Sequence, residues 1–434
     1  HQQWHGRGHP YGDGIMSSTL SHDPRVQQSS GAKGTIDALR RRVVGGQVNY
    51  VPVIIGIVLI WVVLVFLTDG AFASPRNLVN LSMQLAATGT IALGLVFVLL
   101  LGEIDLSAGA VSGLAAAVVG VTNVNLGVPG PLAVLLAIAT GAAVGAFQGS
   151  WITAFRVPAF IVTLAGLLAW DGLKLFVLGD TGSVNVRDPF ILSFTTIFFN
   201  GIALWLIGAA LVAYVSWRLL GRVARRRKAG LAVDPIGVQI ILIAATAAAV
   251  TAVVLVLDRD RGLSLAFLVL LILLVLLDIM LQRTRVGRMI FAIGGNTASA
   301  VRAGLPVRRV TIFVFVLGSS LAAFGGVIAT SRSLAVTQSA GTAEVLLNAI
   351  AAVVIGGTSL FGGRGGVWSA LLGIFVIQSI SNGMDLLSLD ISIKLLVTGA
   401  VLLLAVTFDA VTRTQRSKGT GNIFTRLIGR RPTS

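Results

Sequence analysis

Four stretches of this chain run for fifteen to twenty-one positions without a charged residue: Val51–Leu67, 81–101, 263–277 and 310–330. An α-helix of about 17–25 apolar residues matches the ~30 Å hydrocarbon core of a bilayer. No water reaches the backbone there, so each N–H and C=O is satisfied within its own segment or a closed barrel. Runs this long and continuous specify helices. Composition agrees: 12% of residues are charged and 55% hydrophobic, whereas ordinary globular domains are about 25% charged. A soluble chain of 434 residues has more surface than so few charges can cover. The expected fold class is all-α: a polytopic integral membrane bundle of about 10–12 transmembrane helices, some broken or re-entrant.

Twelve apolar segments are expected: 51–67, 80–101, 106–121, 131–152, 159–178, 190–217, 238–257, 263–281, 310–330, 345–357, 367–386 and 393–410. Two of them, 106–121 and 345–357, are short for a full crossing. With a cytoplasmic N-terminus, the inner loops hold Arg156, the 218–228 cluster, Arg283, Arg285, Arg288, Arg302, Arg308, Arg309 and Arg364, fourteen cations in all. The outer loops hold five: Arg76, Arg187, Arg259, Arg261 and Arg332. Basic loops stay on the cytoplasmic side, so this bias predicts that both termini are inside. The domain plan that follows is a transmembrane domain over 48–410 with a cytoplasmic loop at 282–309, and cytoplasmic tails at 16–47 and 411–434. Residues 1–15 read as an expression scar ahead of Met16, and the first span serves as its own insertion signal.

The net charge of +16 flanks apolar spans, which is an orientation signal; no nucleic-acid partner is expected. The 218–228 cluster reads as a stop-transfer anchor or a contact for anionic membrane lipid. The chain has no cysteine, and its four histidines all fall at or before His22. No metal site, disulfide or histidine base is therefore expected within the membrane, which argues against hydrolytic chemistry there.

Small residues recur at helical spacing. Gly141, Gly145 and Gly149 form a tandem GxxxG run, and Gly109 and Gly113 form another. Such spacing lets helices approach closely in lipid. Two segments interrupt the apolar pattern: GEIDLSAG at 102–109 and GGTSLFGGRGG at 356–366. Both follow an uncharged run and lead into a small-residue helix, and both lead-in runs travel outside to inside, as in a parallel internal repeat. Broken helices in a membrane are tolerated where they are buried in protein or line a cavity. Asp105 and Ser107 are placed to cap the following helix or to line a path. The cost of Glu103 depends on its depth. Asp171 and Lys174, three apart, share a helix face and are expected to pair, as are Asp385 and Lys394 near span ends. In the 282–309 loop, Asn296 reads as an N-cap and Gly304-Leu305-Pro306 as a stop, which delimits a short cytoplasmic helix. Trp61, Trp151, Trp170, Trp205 and Trp368 read mainly as interfacial anchors.

Four stretches together resemble the ribose/xylose/galactose-type permeases of bacterial ABC importers: GLVFVLLLGEIDLSAGAVSGLAAAVVG (94–120), FRVPAFIVTLAG (155–166), VGRMIFAIGGNTASAVRAGLPVRRV (286–310) and AAVVIGGTSLFGGRGGVWSALLG (351–373). They occur in the family's order. Glu103 departs from the glycine common at that place. The added material around 195–260 resembles the longer xylose-permease branch.

The resemblance implies a monosaccharide permease of the bacterial inner membrane, working by alternating access with a pentose as its cargo. Its implied partners are a second copy of itself, a cytoplasmic ATPase with two nucleotide-binding domains, and an extracytoplasmic sugar-binding protein. It places a coupling helix at 296–304, with Asn296, Ala300, Arg302, Ala303 and Gly304 as coupling residues. Glu103, Asp105, Ser107, Asn348, Gly356, Gly357, Thr358 and Ser359 are the candidate path residues. No catalytic residue, metal or cofactor is expected in this chain. It has no G-x-x-x-x-G-K-[ST] motif, so ATP and magnesium belong to the partner ATPase. A branched-chain amino acid permease and an ion-coupled secondary transporter are the alternatives.

Overall fold

The computed structural model describes residues 51–230, 233 and 236–417. The expected scar, the N-terminal tail, and the C-terminal tail beyond Ser417 lie outside the described residues. Fifteen helices follow one another among those described. They are α1 (Val51–Leu67), α2 (Pro75–Leu101), α3 (Ala108–Val124), α4 (Gly130–Phe155) and α5 (Ala159–Leu178), then α6 (Pro189–Thr196), α7 (Gly201–Lys228), α8 (Ile236–Leu257), α9 (Leu265–Arg283) and α10 (Arg285–Gly295). The last five are α11 (Thr297–Arg302), α12 (Val307–Ser333), α13 (Ala343–Ile355), α14 (Val367–Leu386) and α15 (Ile391–Ser417). Four strands of two or three residues are β1 (Ser183–Asn185), β2 (Phe198–Phe199), β3 (Leu263–Ser264) and β4 (Ala335–Thr337). Eleven of the twelve expected segments each fall on a single helix. Eight of the described helices are long and apolar enough to cross a membrane, and α1, α3, α13 and the start of α15 are shorter apolar helices. The chain is a polytopic all-α membrane protein.

One expected span needs correction. Segment 190–217 is not one continuous helix: the chain breaks between Thr196 and Gly201. Asp188 Oδ1 accepts the N–H groups of Phe190 and Ile191 and starts the short helix α6. Phe198 and Phe199 then pair antiparallel with Ser264 and Leu263. The run carries no charge and Phe198 and Phe199 are strongly apolar, so hydropathy alone does not show where helix gives way to strand.

The helical hairpin of α7 and α8 forms a compact unit of its own. Within it Gly208 packs against Val254 and Val250, and the last turn of α7 carries Arg225, Arg226, Arg227 and Lys228. The rest of the described chain, residues 51–200 and 257–417, forms the second unit.

The helices of the second unit run between two ends. At one end β1, which follows α5, pairs with β4, which follows α12. Asn77 at the start of α2 donates to Asn382 Oδ1 near the end of α14, and Asn123 near the end of α3 donates to Asp188 ahead of α6. The opposite end gathers the C-termini of α2 and α10 and the 356–366 loop, where Gly363 N–H donates to the Leu100 carbonyl. Within this unit the loops that are basic by sequence count, around 283–309 and at Arg364, lie at this second end. The lead-in helices α2 and α13 both point towards it, the parallel sense expected for the two broken segments.

Helix α2 is the core element; almost its whole length from Val79 is buried. Helix α12 packs against both α2 and α4. The GxxxG run of α4 makes that approach possible: an added Cβ at Gly141 would meet Ala323 Cβ and the Ser319 carbonyl, and one at Gly149 would sit 2.8 Å from Ile312 Cα. At Gly145 the obstacle is the Phe315 carbonyl itself. With lipid on both sides there is no hydrophobic gain from bringing helices together, so close van der Waals contact between backbones holds this pair. Side-chain N-caps begin several helices. Ser74, Ser264 and Thr284 accept from Asn77, Phe267 and Gly287 N–H respectively. Each such cap stabilises by about 0.5–2 kcal/mol.

Candidate transport path and coupling segment

The first broken segment links α2 to α3. Gly102 ends α2 in the left-handed region, φ 86°. Residues 103–107 then turn back into the protein. Asp105 is 2% exposed, and its Oδ1 accepts from both the N–H (2.8 Å) and the hydroxyl (2.6 Å) of Ser107. A hydroxyl has one proton. With that proton on Asp105, Ser107 Oγ is left to accept from Gln148 Nε2 of α4 at 2.9 Å. Leu106 N–H donates to Thr163 Oγ1 of α5 at 3.1 Å. Asp105 therefore orders the turn into α3, Ser107 ties it to α4 and Leu106 ties it to α5, while Ser107, at the N-cap position, makes no side-chain cap bond. Glu103 is half-buried beside Gly102, which ends α2.

Helices α3 and α13, expected to be short for a crossing, have 17 and 13 residues. At 1.5 Å per residue they span about 26 and 20 Å, less than the hydrocarbon thickness. Non-helical backbone precedes each: 102–107 before α3, and 338–342 before α13. Gly341, at φ 69°, brings that second lead-in against α3, where an added Cβ would fall on the Gly109 carbonyl and within 2.5 Å of Gly113 N. Gly109 and Gly113, expected to support helix–helix contact, instead admit this non-helical backbone.

The second broken segment follows α13. Thr358 is fully buried, with its hydroxyl 3.5 Å from that of Ser369. Ser359 N–H donates to the Arg364 carbonyl and its Oγ accepts from Phe361 N–H. Gly356 lies against the Ser369 carbonyl, so it is a packing position, while Gly357 sits in the turn at φ 91°. Asn348 is buried within α13 and its Oδ1 has no hydrogen-bond partner.

The short cytoplasmic helix expected from the sequence is α11. Asn296 Oδ1 accepts from Ser299 N–H at 2.8 Å, Ala303 is its C-cap and Gly304 follows at φ 75°. Arg302 is exposed and donates to Ser299 Oγ at 3.0 Å, whereas Ala300 is buried. Helix α10, which the sequence did not separate from the loop, leads into it.

These three regions meet. An added Cβ at Gly294 of α10 would fall on the Leu100 carbonyl of α2 and 2.9 Å from Gly363 N. Gly362 lies against the Gly294 carbonyl and 2.9 Å (as a Cβ) from Gly102 Cα. One backbone-to-backbone junction therefore joins the approach to α11 with both broken segments. Nothing local in the sequence reports a contact between residues 100, 294 and 363; only the glycines hint at it.

Sequence reasoning also missed a cavity of about 250 Å³ between α3, α5 and the lead-in to α13, lined by Ala110, Leu167, Asp171, Lys174, Gln338 and Leu346 among others. None of the candidate path residues lines it. Lys174 does not reach for the surface: it is 2% exposed, with Nζ 2.6 Å from Asp171 Oδ1 and 3.0 Å from the Ala340 carbonyl. Lys394 and Asp385 pair as expected, at 2.5 Å. Trp61 is also not a free anchor, because its Nε1 donates to Ser379 Oγ at 2.9 Å.

The fold defines a polytopic membrane protein whose broken segments join a capped short helix. The family model for the branched-chain amino acid transport system permease component matches residues 77–406, and the chain belongs to this family. It is similar to the xylose transport system permease protein of Escherichia coli K12, with 38% identity over 368 residues covering 83% of this chain and 91% of that protein. The corresponding protein of Haemophilus influenzae is 36% identical over 346 residues, covering 79% and 91%. The ribose import permease of Bacillus subtilis is 32% identical over 350 residues, covering 81% and 89%. No solved structure matches.

Proposed function

We propose that this chain is the membrane-spanning subunit of an ATP-driven sugar importer in the bacterial inner membrane, and that it carries a monosaccharide, a pentose such as xylose or ribose, by alternating access. The observation that carries this reading is the likeness to xylose and ribose permeases across about four fifths of the chain. The family model's description speaks of branched-chain amino acids, but the individual relatives named above carry sugars in their names. An ion-coupled transporter needs acidic groups free to exchange protons at depth. Of the two candidates, Asp105 is committed to Ser107 and Glu103 lies at the end of α2.

In this reading the chain works as a homodimer with both termini in the cytoplasm. A separate ATPase with two nucleotide-binding domains docks on α11, and a binding protein delivers sugar from outside. The chain itself catalyses no reaction and holds no cofactor. Closure of the ATPase moves α11, and α10 transmits the motion through the Gly294 junction to α2 and the 356–366 loop. Those elements continue into α3 and α13, so the helices around the path move with them.

Arg302→Glu tests the coupling. It leaves α11 capped by Asn296 but reverses the charge presented to the ATPase. The expected result is ATP hydrolysis that no longer drives uptake, with normal membrane insertion. Wild-type uptake by this variant removes α11 from the coupling path.

A further inference from the structure

We infer that the cavity beside α3 and α5 is a binding subsite for one neutral polyhydroxyl molecule, with the Asp171–Lys174 pair as its recognition group. This inference rests on the sugar-permease reading and specifies where the sugar is held.

Three observations point to a ligand. The first is the state of the pair. An ammonium carries three protons; Lys174 uses one on Asp171 and one on the Ala340 carbonyl. A carboxylate accepts about four hydrogen bonds, and Asp171, with its side chain 46% exposed, receives one from Lys174. A donor and several acceptor positions thus remain side by side, with Gln338 on the opposite wall supplying an amide that both donates and accepts. A hydroxyl group both donates and accepts, so neighbouring hydroxyls on one molecule suit this arrangement. The second is charge. The pair sums to zero, and its members are already joined at 2.6 Å. An ionic substrate would have to separate them at the cost of a buried unpaired charge, whereas a neutral polyol adds to the pair without breaking it. The third is shape. Ala110, Leu167 and Leu346 give an apolar floor for the C–H face of a sugar ring. The volume of about 250 Å³ falls just under the ~300–1,000 Å³ of pockets for larger ligands. A single monosaccharide suits that space.

The wall opposite α5 is fixed by backbone. The Ala340 carbonyl that holds Lys174 lies against Gly113, where an added Cβ would be 2.9 Å from Ala340 C and 3.1 Å from Lys174 Cδ. Both walls also lead to the glycine junction: α3 through residues 102–107, and the 338–342 lead-in through α13. Movement at α11 therefore changes the distance between the two walls and alters the hold on the sugar.

The chain has no cysteine, so one introduced thiol reports its site without background. Thr342, exposed and on the cavity lining, is replaced by Cys in the full chain in nanodiscs, and its labelling by a polar maleimide is timed. Xylose at about 100 mM is expected to slow labelling at least fivefold, with no slowing by sucrose or leucine. Asp171→Asn in the same background is expected to label readily and to lose that protection, with xylose slowing it less than about twofold. Labelling that ignores xylose overturns the subsite, even where the intact importer takes up pentose. Protection by leucine instead of xylose overturns the proposed ligand class, as does full protection in Asp171→Asn for the role of the pair. The sugar-permease reading itself fails separately, on absence of pentose uptake by the wild-type importer.

Discussion

Replacing Gly294 by Ala puts one methyl group into the junction between α10, α2 and the 356–366 loop. The added Cβ falls on the Leu100 carbonyl and comes 2.9 Å from both Leu100 C and Gly363 N. All are backbone atoms, so no side-chain rotation relieves the contact. Forcing an extra methyl into a packed site costs about 1–3 kcal/mol. The same carbonyl accepts the 2.9 Å hydrogen bond from Gly363 N–H, and losing it adds about 1 kcal/mol. The total is about 2–4 kcal/mol, concentrated where α10 meets both broken segments. Gly295 is the control, since an added Cβ there meets nothing within 4 Å. The assay compares ATP hydrolysis and labelled pentose uptake in proteoliposomes holding the chain, its ATPase and its binding protein. Gly294→Ala is expected to lower uptake at least tenfold while ATP hydrolysis continues, and Gly295→Ala to transport as wild type. Equal transport by the two variants refutes the idea that the junction carries motion.

Two further changes test the packing account. Gly145→Leu drives a large side chain into the Phe315 carbonyl of α12; a thermal midpoint measured in detergent is expected to fall by several degrees, and an unchanged midpoint contradicts the close α4–α12 contact. Asp188→Ala removes the cap on α6 and the partner of Asn123. A loss of about 1–2 kcal/mol is expected, read as faster backbone amide exchange at Phe190 and Ile191, while unchanged exchange counts against the cap.

Spans were legible because hydropathy acts over a whole helix. The uncharged runs at 51–67, 81–101 and 310–330 are each found as helix. The cap of α11 was legible too: Asn296 and Gly304 are local signals, read from a few neighbouring residues. The split between α6 and α7 was not, because Phe198 and Phe199 are as apolar as the helices beside them and the strand they join comes more than sixty residues later. The candidate site divided in the same way. The Asp171–Lys174 pair follows from i, i+3 spacing, but the cavity needs the 338–342 backbone folded against α3. The likeness of the two glycine-broken segments was visible along the chain. Their meeting at Gly294 depends on backbone contacts across some two hundred residues, and a sequence records those only as an unexplained glycine.

The central claim is that this chain imports a sugar at the expense of ATP. The direct measurement is uptake of radiolabelled xylose and leucine into proteoliposomes containing the chain with its ATPase and binding protein, with and without ATP inside the ATPase compartment, and with and without a proton gradient. The account predicts xylose accumulation that requires ATP and ignores the gradient, with no accumulation of leucine. Accumulation driven by the gradient without ATP, or of leucine in place of xylose, contradicts it.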